Sequence, residues 1–223
     1  MIWEVPCYAP ACMTGLAINA EKLGRRYGRR WALADVTFRV PAGTVLMVSG
    51  PNGSGKSTLF RVLATAIRPD LGKVTVLGFD LIREREDVRK AVALLSHHSY
   101  LYETLTAREN LVVVSQHLGV GTDGVGPLLT RVGLGERGDD AVSTFSAGMR
   151  KRLSFARVLL QAPRLALLDE PYAQLDPEGF DLVDGVIREL KADGTTVLVA
   201  THQLERTSRL ADNALRLEGG RLL

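Results

Sequence analysis

Cysteine is scarce in this chain, and long apolar runs are missing from it. Among 223 residues there are two cysteines, Cys7 and Cys12, and both lie in the first dozen. Two terminal thiols are too few for a disulfide framework, and a chain of this length buries a sufficient core without one. We therefore expect one large domain, or a domain with a small attached lobe, in a reducing, cytosolic setting.

The sequence also lacks the segments that target a protein to a membrane or anchor it there. No stretch approaches the roughly 18 consecutive apolar residues that a transmembrane helix needs. The opening residues, MIWEVPCYAPACM, show no basic region followed by an apolar run, so no secretion signal is predicted. We expect residues 1–14 to be an N-terminal extension, dispensable or disordered, with Met13 as a candidate for the original start.

A dense basic tract is missing as well. The 28 Lys and Arg residues against 25 Asp and Glu give a net charge of +3, and the arginines are scattered through residues 25–30, 83–89 and 150–157. Scattered charge of this kind is typical of the solvated faces of an ordinary domain. No nucleic-acid partner is expected.

Buried strands that alternate with helical patterns predict an α/β fold with a mostly parallel sheet. Buried strands are expected at residues 45–49, 164–168 and 195–202, and a helix with an apolar stripe at 178–191. The earlier segments LAINAEKL and WALADVTFRV read as paired strands. They predict an N-terminal antiparallel β layer.

The pattern becomes helical in the middle of the chain. Segments such as ARENLVVVSQHLG and VGPLLTRVGLG carry few strand signals. We interpret residues 99–161 as a helical subdomain inserted into a folded domain of residues 15–223. The sheet part then comprises residues 15–98 and 162–223.

The clearest chemical motif is GPNGSGKST, which matches GxxxxGK[ST] between an apolar strand and a helix predicted to run from Lys56 to Ile67. Its glycines let the backbone curl so that amide hydrogens point at a β-phosphate, next to the positive end of the helix. Lys56 would reach the β- and γ-phosphates, and the Ser57 hydroxyl would bind Mg²⁺. Nucleotide contacts are expected from the whole loop: Gly50, Pro51, Asn52, Gly53, Ser54, Gly55, Lys56, Ser57 and Thr58.

A second motif, LALLDE, ends an apolar strand in two acids. Asp169 can hold Mg²⁺ or its water shell, and Glu170 can polarise an attacking water. The alternative is that both acids merely solvate a strand end. No NKxD sequence, the guanine-reading motif, occurs in the chain, which favours ATP as the nucleotide.

Further motifs complete a recognisable order. FSAGM at residues 145–149 opens a basic amphipathic helix ahead of the acidic strand, AQLDPEG follows that strand, and TTVLVATH ends in His202. With the phosphate loop and LALLDE, these motifs resemble ATP-binding subunits of ABC transporters from about residue 16 to 220. The resemblance implies a P-loop NTPase fold of a RecA-like sheet part, an antiparallel β layer and an inserted helical subdomain.

The resemblance also assigns roles within one nucleotide site. Tyr27, in RRYGRR, is similar to the aromatic residue that stacks on adenine, although an exposed loop tyrosine is the alternative. Glu170 is similar to the general base. His202 is similar to the switch residue that contacts the γ-phosphate and orients the water, while a purely structural histidine remains the alternative.

Other roles in the family concern a second copy. Ser146 and Gly148 resemble the signature that grips the γ-phosphate of ATP held by the partner subunit, a task suited to a helix N-terminus. Asp176 resembles the loop residue that communicates across the dimer. The expected partners are therefore a second ATP-binding subunit in a head-to-tail homodimer and a separate transmembrane permease, docked through the helical lobe at residues 99–145.

Two positions depart from the family pattern. FSAGM stands where LSGGQ is common, so Ala147 and Met149 replace Gly and Gln, while the Ser and the second Gly remain. Ala restricts φ, yet contact with the γ-phosphate should persist. His97 stands where the family usually has a Gln that touches Mg²⁺ and the attacking water; it is a catalytic candidate whose protonation varies with pH, or a residue that points into solvent.

The His97 loop and LTARENL are similar to the ATP-binding subunit of the haem exporter of cytochrome c maturation. Another small bacterial ABC exporter or importer subunit is the alternative within the family. The implied function is ATP hydrolysis with Mg²⁺ that powers transport from the cytoplasmic, inner face of the cell membrane. The alternatives from other classes are a soluble ABC ATPase acting in DNA repair or translation, and a non-catalytic nucleotide-binding regulator.

Overall fold

The computed structural model describes residues 15–96 and 99–223. The expectations for residues 1–14 and for His97 lie outside this part of the chain. The described residues form two compact units. We name them the sheet unit (15–96, 163–171 and 184–223) and the helical unit (99–162 and 172–183).

The strands in chain order are β1 (Leu16–Tyr27), β2 (Arg30–Pro41), β3 (Val45–Ser49), β4 (Leu71–Val76), β5 (Phe79–Asp80), β6 (Val92–Leu95), β7 (Leu165–Asp169), β8 (Thr196–Ala200), β9 (Asn213–Glu218) and β10 (Arg221–Leu222). The helices are α1 (Lys56–Leu63), α2 (Arg85–Ala91), α3 (Ala107–Leu118), α4 (Val125–Arg131), α5 (Ala147–Leu160), α6 (Pro177–Ala192) and α7 (Leu204–Ser208).

Within the described ranges the strands form two sheets. One is antiparallel with the order β2-β1-β4-β5, and the other has the order β10-β9-β3-β8-β7-β6. In the second sheet β6, β7, β8, β3 and β9 pair in parallel, and only β10 runs antiparallel to its neighbour β9. The predicted fold class, a mostly parallel sheet with an N-terminal antiparallel layer, is confirmed.

The core of the sheet unit lies between these sheets and the helices that cover them. Every residue of β7 and of β8 is buried, as expected for strands covered on both faces. From the antiparallel layer Ile18, Leu23 and Leu33 enter the same hydrophobic cluster as Phe60 of α1. This shared core fixes the layer carrying the β1–β2 hairpin against the strands that carry the acidic motif.

Helix α1 ends at Leu63, earlier than the predicted Ile67. Thr65 takes a left-handed conformation with φ of 57°, and the amides of Ala66 and Ile67 both donate to the carbonyl of Arg61. The backbone has therefore left the α-helical hydrogen-bond pattern before Pro69 is reached.

The helical unit contains α3, α4 and α5. Helix α3 begins with a capping box in which Thr106 and Glu109 satisfy each other's backbone amides, and it ends at Gly119 in the left-handed conformation. Asn110, buried on α3, bonds both the amide and the carbonyl of Tyr102, which fixes the loop before the helix. Among the described residues, no helix is long and apolar enough to cross a membrane.

Candidate functional site

Three neighbouring parallel strands deliver the candidate residues to one edge of the sheet. Strand β8 pairs with β3 on one side and with β7 on the other. The phosphate loop follows β3, Asp169 ends β7 and is followed by Glu170, and His202 comes two residues after β8. Because the carboxyl ends of parallel strands meet at the same edge, the fold assembles these groups in one place.

The backbone of the phosphate loop requires its glycines. Gly50 and Gly55 have φ angles of 140° and 111°, where L side chains are strained. A Cβ atom on Gly50 would lie 2.0 Å from the carbonyl oxygen of Leu217, and one on Gly55 would lie 2.4 Å from that of Ala32. The loop thus packs directly against the backbone of other strands, and no side chain fits there.

The phosphate loop is suited to bind an anion, because it carries Lys56 and leads into the N-terminus of α1. Helix α1 begins at Lys56 with no side-chain cap, so its first amides are available to a ligand. Nζ of Lys56 donates to the carbonyl oxygens of Gly50 and Pro51 at 2.8 and 3.1 Å, which holds the ammonium group across the loop. Ser57 is exposed beside it, whereas Ser54 is buried.

Asp169 is suited to hold a cation. It is 4% exposed, and its Oδ1 atom is buried without a hydrogen bond to any described residue. An unsatisfied buried carboxylate oxygen is costly unless a ligand completes it. Mg²⁺ commonly takes only one or two protein ligands besides phosphate oxygens and water, and the Asp169 carboxylate and the Ser57 hydroxyl are oxygen donors of the kind it takes.

Glu170 has an unusual backbone. Its φ is 48°, a left-handed value in a residue other than glycine, and its amide donates to the carbonyl of Ala200 at 2.8 Å. Left-handed residues of this kind are held in place by their surroundings and cluster at functional sites. The turn places the Glu170 carboxylate next to the residues that follow β8.

The His202 side chain bridges the acid and the phosphate loop. Its Nε2 atom lies 2.8 Å from Oδ1 of Asn52 and 3.4 Å from Oε1 of Glu170. The His202 amide donates to Oε2 of the same carboxylate at 3.4 Å. Because an amide oxygen only accepts, this contact is a hydrogen bond in the tautomer that carries its proton on Nε2.

Tyr27 lies at the end of β1, opposite Arg30 at the turn of the β1–β2 hairpin. Its side chain is exposed, and the guanidinium carbon of Arg25 lies 5.1 Å from its ring centre. Arg25 is itself anchored by the Asp70 carboxylate and the Arg68 carbonyl. The Tyr27 ring is therefore stabilised in its position by a cation–π contact with Arg25.

The remaining candidates lie in the helical unit. Ser146 is the N-cap of α5, where its Oγ accepts from the Met149 amide at 3.2 Å. A Cβ on Gly148 would lie 3.0 Å from the carbonyl oxygen of Gln174, so the turn at Ser146 and the loop before α6 are packed together. The hydroxyl hydrogen of Ser146 remains able to donate to another ligand.

Asp176 is the last residue of the loop before α6. It accepts from the Gly179 amide at 2.8 Å and from the Arg152 guanidinium at 3.0 Å. The Gly179 hydrogen bond, with a smaller contribution from Arg152, lowers the pKa of the Asp176 carboxyl below its usual value. Sequence reasoning named Asp176 but missed Arg152, whose position on α5 carries no motif.

Sequence reasoning also missed two contacts in the sheet unit. No motif relates Asn52 of the loop to the switch residue His202, yet their side chains are in contact. No motif includes Gly220, in the turn after β9, yet its amide bonds the Ser54 carbonyl. Neither contact has a sequence signal, because the partners are distant along the chain and no spacing rule relates them.

The sequence matches the family described as ABC transporter over residues 33–173. It is 41% identical over 215 residues to the daunorubicin resistance ATP-binding protein DrrA3 of Streptomyces coeruleorubidus, covering 95% of this chain and 68% of that protein. It is 36% identical to the Nod factor export ATP-binding protein I of Rhizobium etli, covering 92% and 66%. The chain thus spans about two thirds of the length of these two relatives.

A third relative is nearer in length. The lantibiotic transport ATP-binding protein SrtF of Streptococcus pyogenes is 35% identical over 195 residues, which cover 87% of this chain and 84% of that protein. Among solved structures, an ATP-binding subunit of an ABC transporter superposes with a TM-score of 0.85 at 29% identity, covering 92% and 88% of the two chains. A dimeric ATP-binding cassette bound to ADP and Pi gives 0.84 at 22% identity over 92% and 96%, a likeness of fold.

Proposed function

Since this chain belongs to the ABC transporter family of ATP-binding domains, we propose that it is the ATP-hydrolysing subunit of an exporter whose membrane-spanning part is a separate chain. The observation that carries the proposal is the meeting of the phosphate loop, the Asp169–Glu170 pair and His202 at the carboxyl ends of β3, β7 and β8. This arrangement has a place for each group that phosphoryl transfer to water needs.

Export is the direction favoured by the relatives. The names of two of them refer to drug resistance and to Nod factor export, and a third refers to lantibiotic transport. None of these three names refers to haem, so the earlier haem-exporter interpretation gains no support from them. We propose export of a natural product or peptide rather than of haem.

The chain's own residues would hold the nucleotide in a defined way. The amides of the phosphate loop and the N-terminus of α1 would bind the β-phosphate, and Lys56 would move from its loop carbonyls to the β- and γ-phosphates. Asp169 and Ser57 would hold Mg²⁺, which supplies neutralisation of charge on the phosphate oxygens. Tyr27 would stack on adenine, and the Arg25 guanidinium would stay in contact with the Tyr27 ring.

Hydrolysis requires a water molecule to attack the γ-phosphorus while the bond to the bridging oxygen breaks. Glu170 would accept the proton that this water loses, as a general base next to His202. His202 would direct its Nε2 hydrogen at the γ-phosphate in place of Asn52. These two side chains are neighbours already, so of the two only the His202 ring has to exchange partners.

A second copy would complete the site. The Ser146 hydroxyl and the start of α5, with Gly148, would contact the γ-phosphate of the nucleotide held by the other protomer. Asp176, fixed by Gly179 and Arg152, would lie in the loop that communicates between the copies. ATP binding would then favour a head-to-tail dimer, and the helical lobe would dock on the membrane subunit.

The proposal is tested by isolating the chain from its native membranes. A tagged chain purified from detergent-solubilised membranes should bring down one integral membrane protein and hydrolyse ATP. Its paired membrane subunit, reconstituted in vesicles, should move its cargo in the direction away from the ATP-binding side. Association with ribosomes or DNA and no membrane protein would instead favour the soluble class of ABC ATPase.

A further inference from the structure

The back of the phosphate loop is hydrogen-bonded to a segment that no motif includes. We define the terminal hairpin as β9, β10 and the Gly219–Gly220 turn between them. The Gly220 amide donates to the carbonyl of Ser54 at 3.0 Å, and the Gly220 carbonyl accepts from the Ala34 amide at 2.7 Å. One residue of the hairpin therefore joins the phosphate loop to β2.

The glycines at the contact between the phosphate loop, β2 and the terminal hairpin leave no room for a side chain. A Cβ on Gly220 would lie 2.8 Å from the carbonyl oxygen of Ala32, which is also the atom that a Cβ on Gly55 would approach to 2.4 Å. At the start of the loop, Gly50 abuts the carbonyl of Leu217 in β9. The loop is thus held between β2 and the terminal hairpin, with backbone against backbone.

The bond from Gly220 has a consequence for the opposite side of the loop. A trans peptide unit is planar, so its C=O and its N–H point in opposite directions. No cis peptide bond occurs among the described residues. When the Ser54 carbonyl is directed at Gly220, the Gly55 amide of the same peptide is directed away from the hairpin, beside the first amides of α1.

We propose that Gly220 is a positioning residue for nucleotide binding: its amide orients the 54–55 peptide so that the Gly55 N–H is aimed at the β-phosphate. This inference rests on the proposed function, because it assigns the loop a nucleotide. The ligand chemistry it concerns is a diphosphate group, since the loop amides of this motif cradle the β-phosphate. A nucleoside monophosphate lacks the group that the Gly55 amide would bind.

The chain offers a matched control for the test. Gly219 and Gly220 are adjacent and both left-handed, with φ of 54° and 79°, but a Cβ on Gly219 would meet no atom within 4 Å. Ala at either position therefore has to adopt a positive φ, but only at Gly220 does its Cβ press against Ala32 of β2, beside the amide that bonds Ser54. Dissociation constants for ADP and AMP would be measured by calorimetry or by competition with a fluorescent nucleotide.

For Gly220→Ala we expect ADP affinity to fall about tenfold, the loss of one aligned hydrogen bond to phosphate, while AMP affinity changes less than about twofold. Gly219→Ala should bind both nucleotides like the wild type. A second variant replaces Gly220 by glycolic acid through semisynthesis, which removes the amide hydrogen without adding a Cβ. It should show the same selective loss for ADP, and it decides the question if Gly220→Ala does not fold.

Equal losses for ADP and AMP, or no loss in the glycolic acid variant, would overturn the positioning role. If the wild-type chain binds ADP, and Gly220→Ala and the glycolic acid variant bind it with the same affinity, this inference is refuted and the proposed function still stands. A wild-type chain that binds neither ADP nor ATP would refute both.

Discussion

His202 Nε2 lies 2.8 Å from Asn52 Oδ1, so the loop that follows β8 is hydrogen-bonded through side chains to the phosphate loop 150 residues earlier in the chain. The same nitrogen lies 3.4 Å from Glu170 Oε1. One imidazole therefore contacts both the candidate base and the candidate phosphate-binding loop. A γ-phosphate would have to displace Asn52 as the acceptor of the Nε2 hydrogen. The hydrogen-bond partner of His202 would therefore change when a nucleoside triphosphate binds.

The first prediction concerns His202→Ala. We expect the rate of ATP hydrolysis to fall at least about a hundredfold, because the side chain beside Glu170 and the γ-phosphate is lost. ADP affinity should stay within about twofold, since the loop backbone and Lys56 are unchanged. Steady-state phosphate release and ADP titration measure the two quantities on the same preparation.

His117→Ala is the matched control, because His117 is exposed on α3 in the helical unit. It should leave hydrolysis and ADP affinity at wild-type values. Wild-type hydrolysis by His202→Ala would show that His202 is structural, which was the alternative that the sequence left open.

The second prediction concerns Glu170→Gln. Glutamine keeps the size of the side chain and can still bond the His202 amide, but it cannot take a proton from water. Hydrolysis should fall by about 10²- to 10⁴-fold while ATP still binds, so a dimer should accumulate in ATP and elute early in size-exclusion chromatography. Glu178→Gln, an exposed change in the first turn of α6, should hydrolyse ATP normally and show no ATP-trapped dimer. Unchanged turnover in Glu170→Gln would remove Glu170 from the role of base.

The third prediction concerns Lys56→Ala. Lys56 is buried, and its ammonium bonds two carbonyls of the loop. Without it the phosphates lose a charge-assisted partner, so ATP affinity should fall at least about tenfold in a direct binding assay. Lys90→Ala removes an exposed lysine of α2 and should bind ATP like the wild type. Full ATP affinity in Lys56→Ala would contradict the interpretation of residues 50–58 as a phosphate loop.

Much of the fold followed from local patterns in the sequence. The apolar runs at β7 and β8 predicted buried parallel strands because such strands are covered on both faces. GPNGSGKST predicted a strand, a turn and a helix in that order, and the structure has β3, the loop and α1. Parallel pairing of β3, β8 and β7 then brings their carboxyl ends together, so the meeting of the motifs follows from topology.

What the sequence could not provide are contacts that depend on packing between distant segments. The Asn52–His202 bond and the Gly220–Ser54 bond join residues that no periodicity relates. The early end of α1 was also missed, because no glycine or proline marks the left-handed turn at Thr65. The role of His97 in place of the usual Gln stays a prediction, since this residue lies outside the described part of the chain.

The fourth prediction concerns the pH dependence of stability through Asp212. Its carboxylate accepts from Lys191 Nζ at 2.6 Å and from the Val45 amide at 2.9 Å, which ties α6 to the start of β3. The Lys191 hydrogen bond, followed by that of Val45, lowers the pKa of the Asp212 carboxyl below its usual value. A pKa that is lower in the folded than in the unfolded chain means that the folded protein binds the proton less readily.

The sign of the effect follows. The stabilisation is present above the unfolded pKa of about 4 and is lost as the pH falls through the lower, folded value. Asp212→Asn should therefore reduce the free energy of unfolding by up to about 1 kcal/mol at pH 7, a value limited by solvent screening of this partly exposed pair. Urea denaturation from pH 7 down to pH 3 should show the difference between variant and wild type shrinking at the acid end. Asp193→Asn, an exposed change beyond the end of α6, should show no such trend. If Asp212→Asn instead lowers the free energy of unfolding equally at every pH, packing at this position, rather than the charge on Asp212, stabilises the contact between α6 and β3.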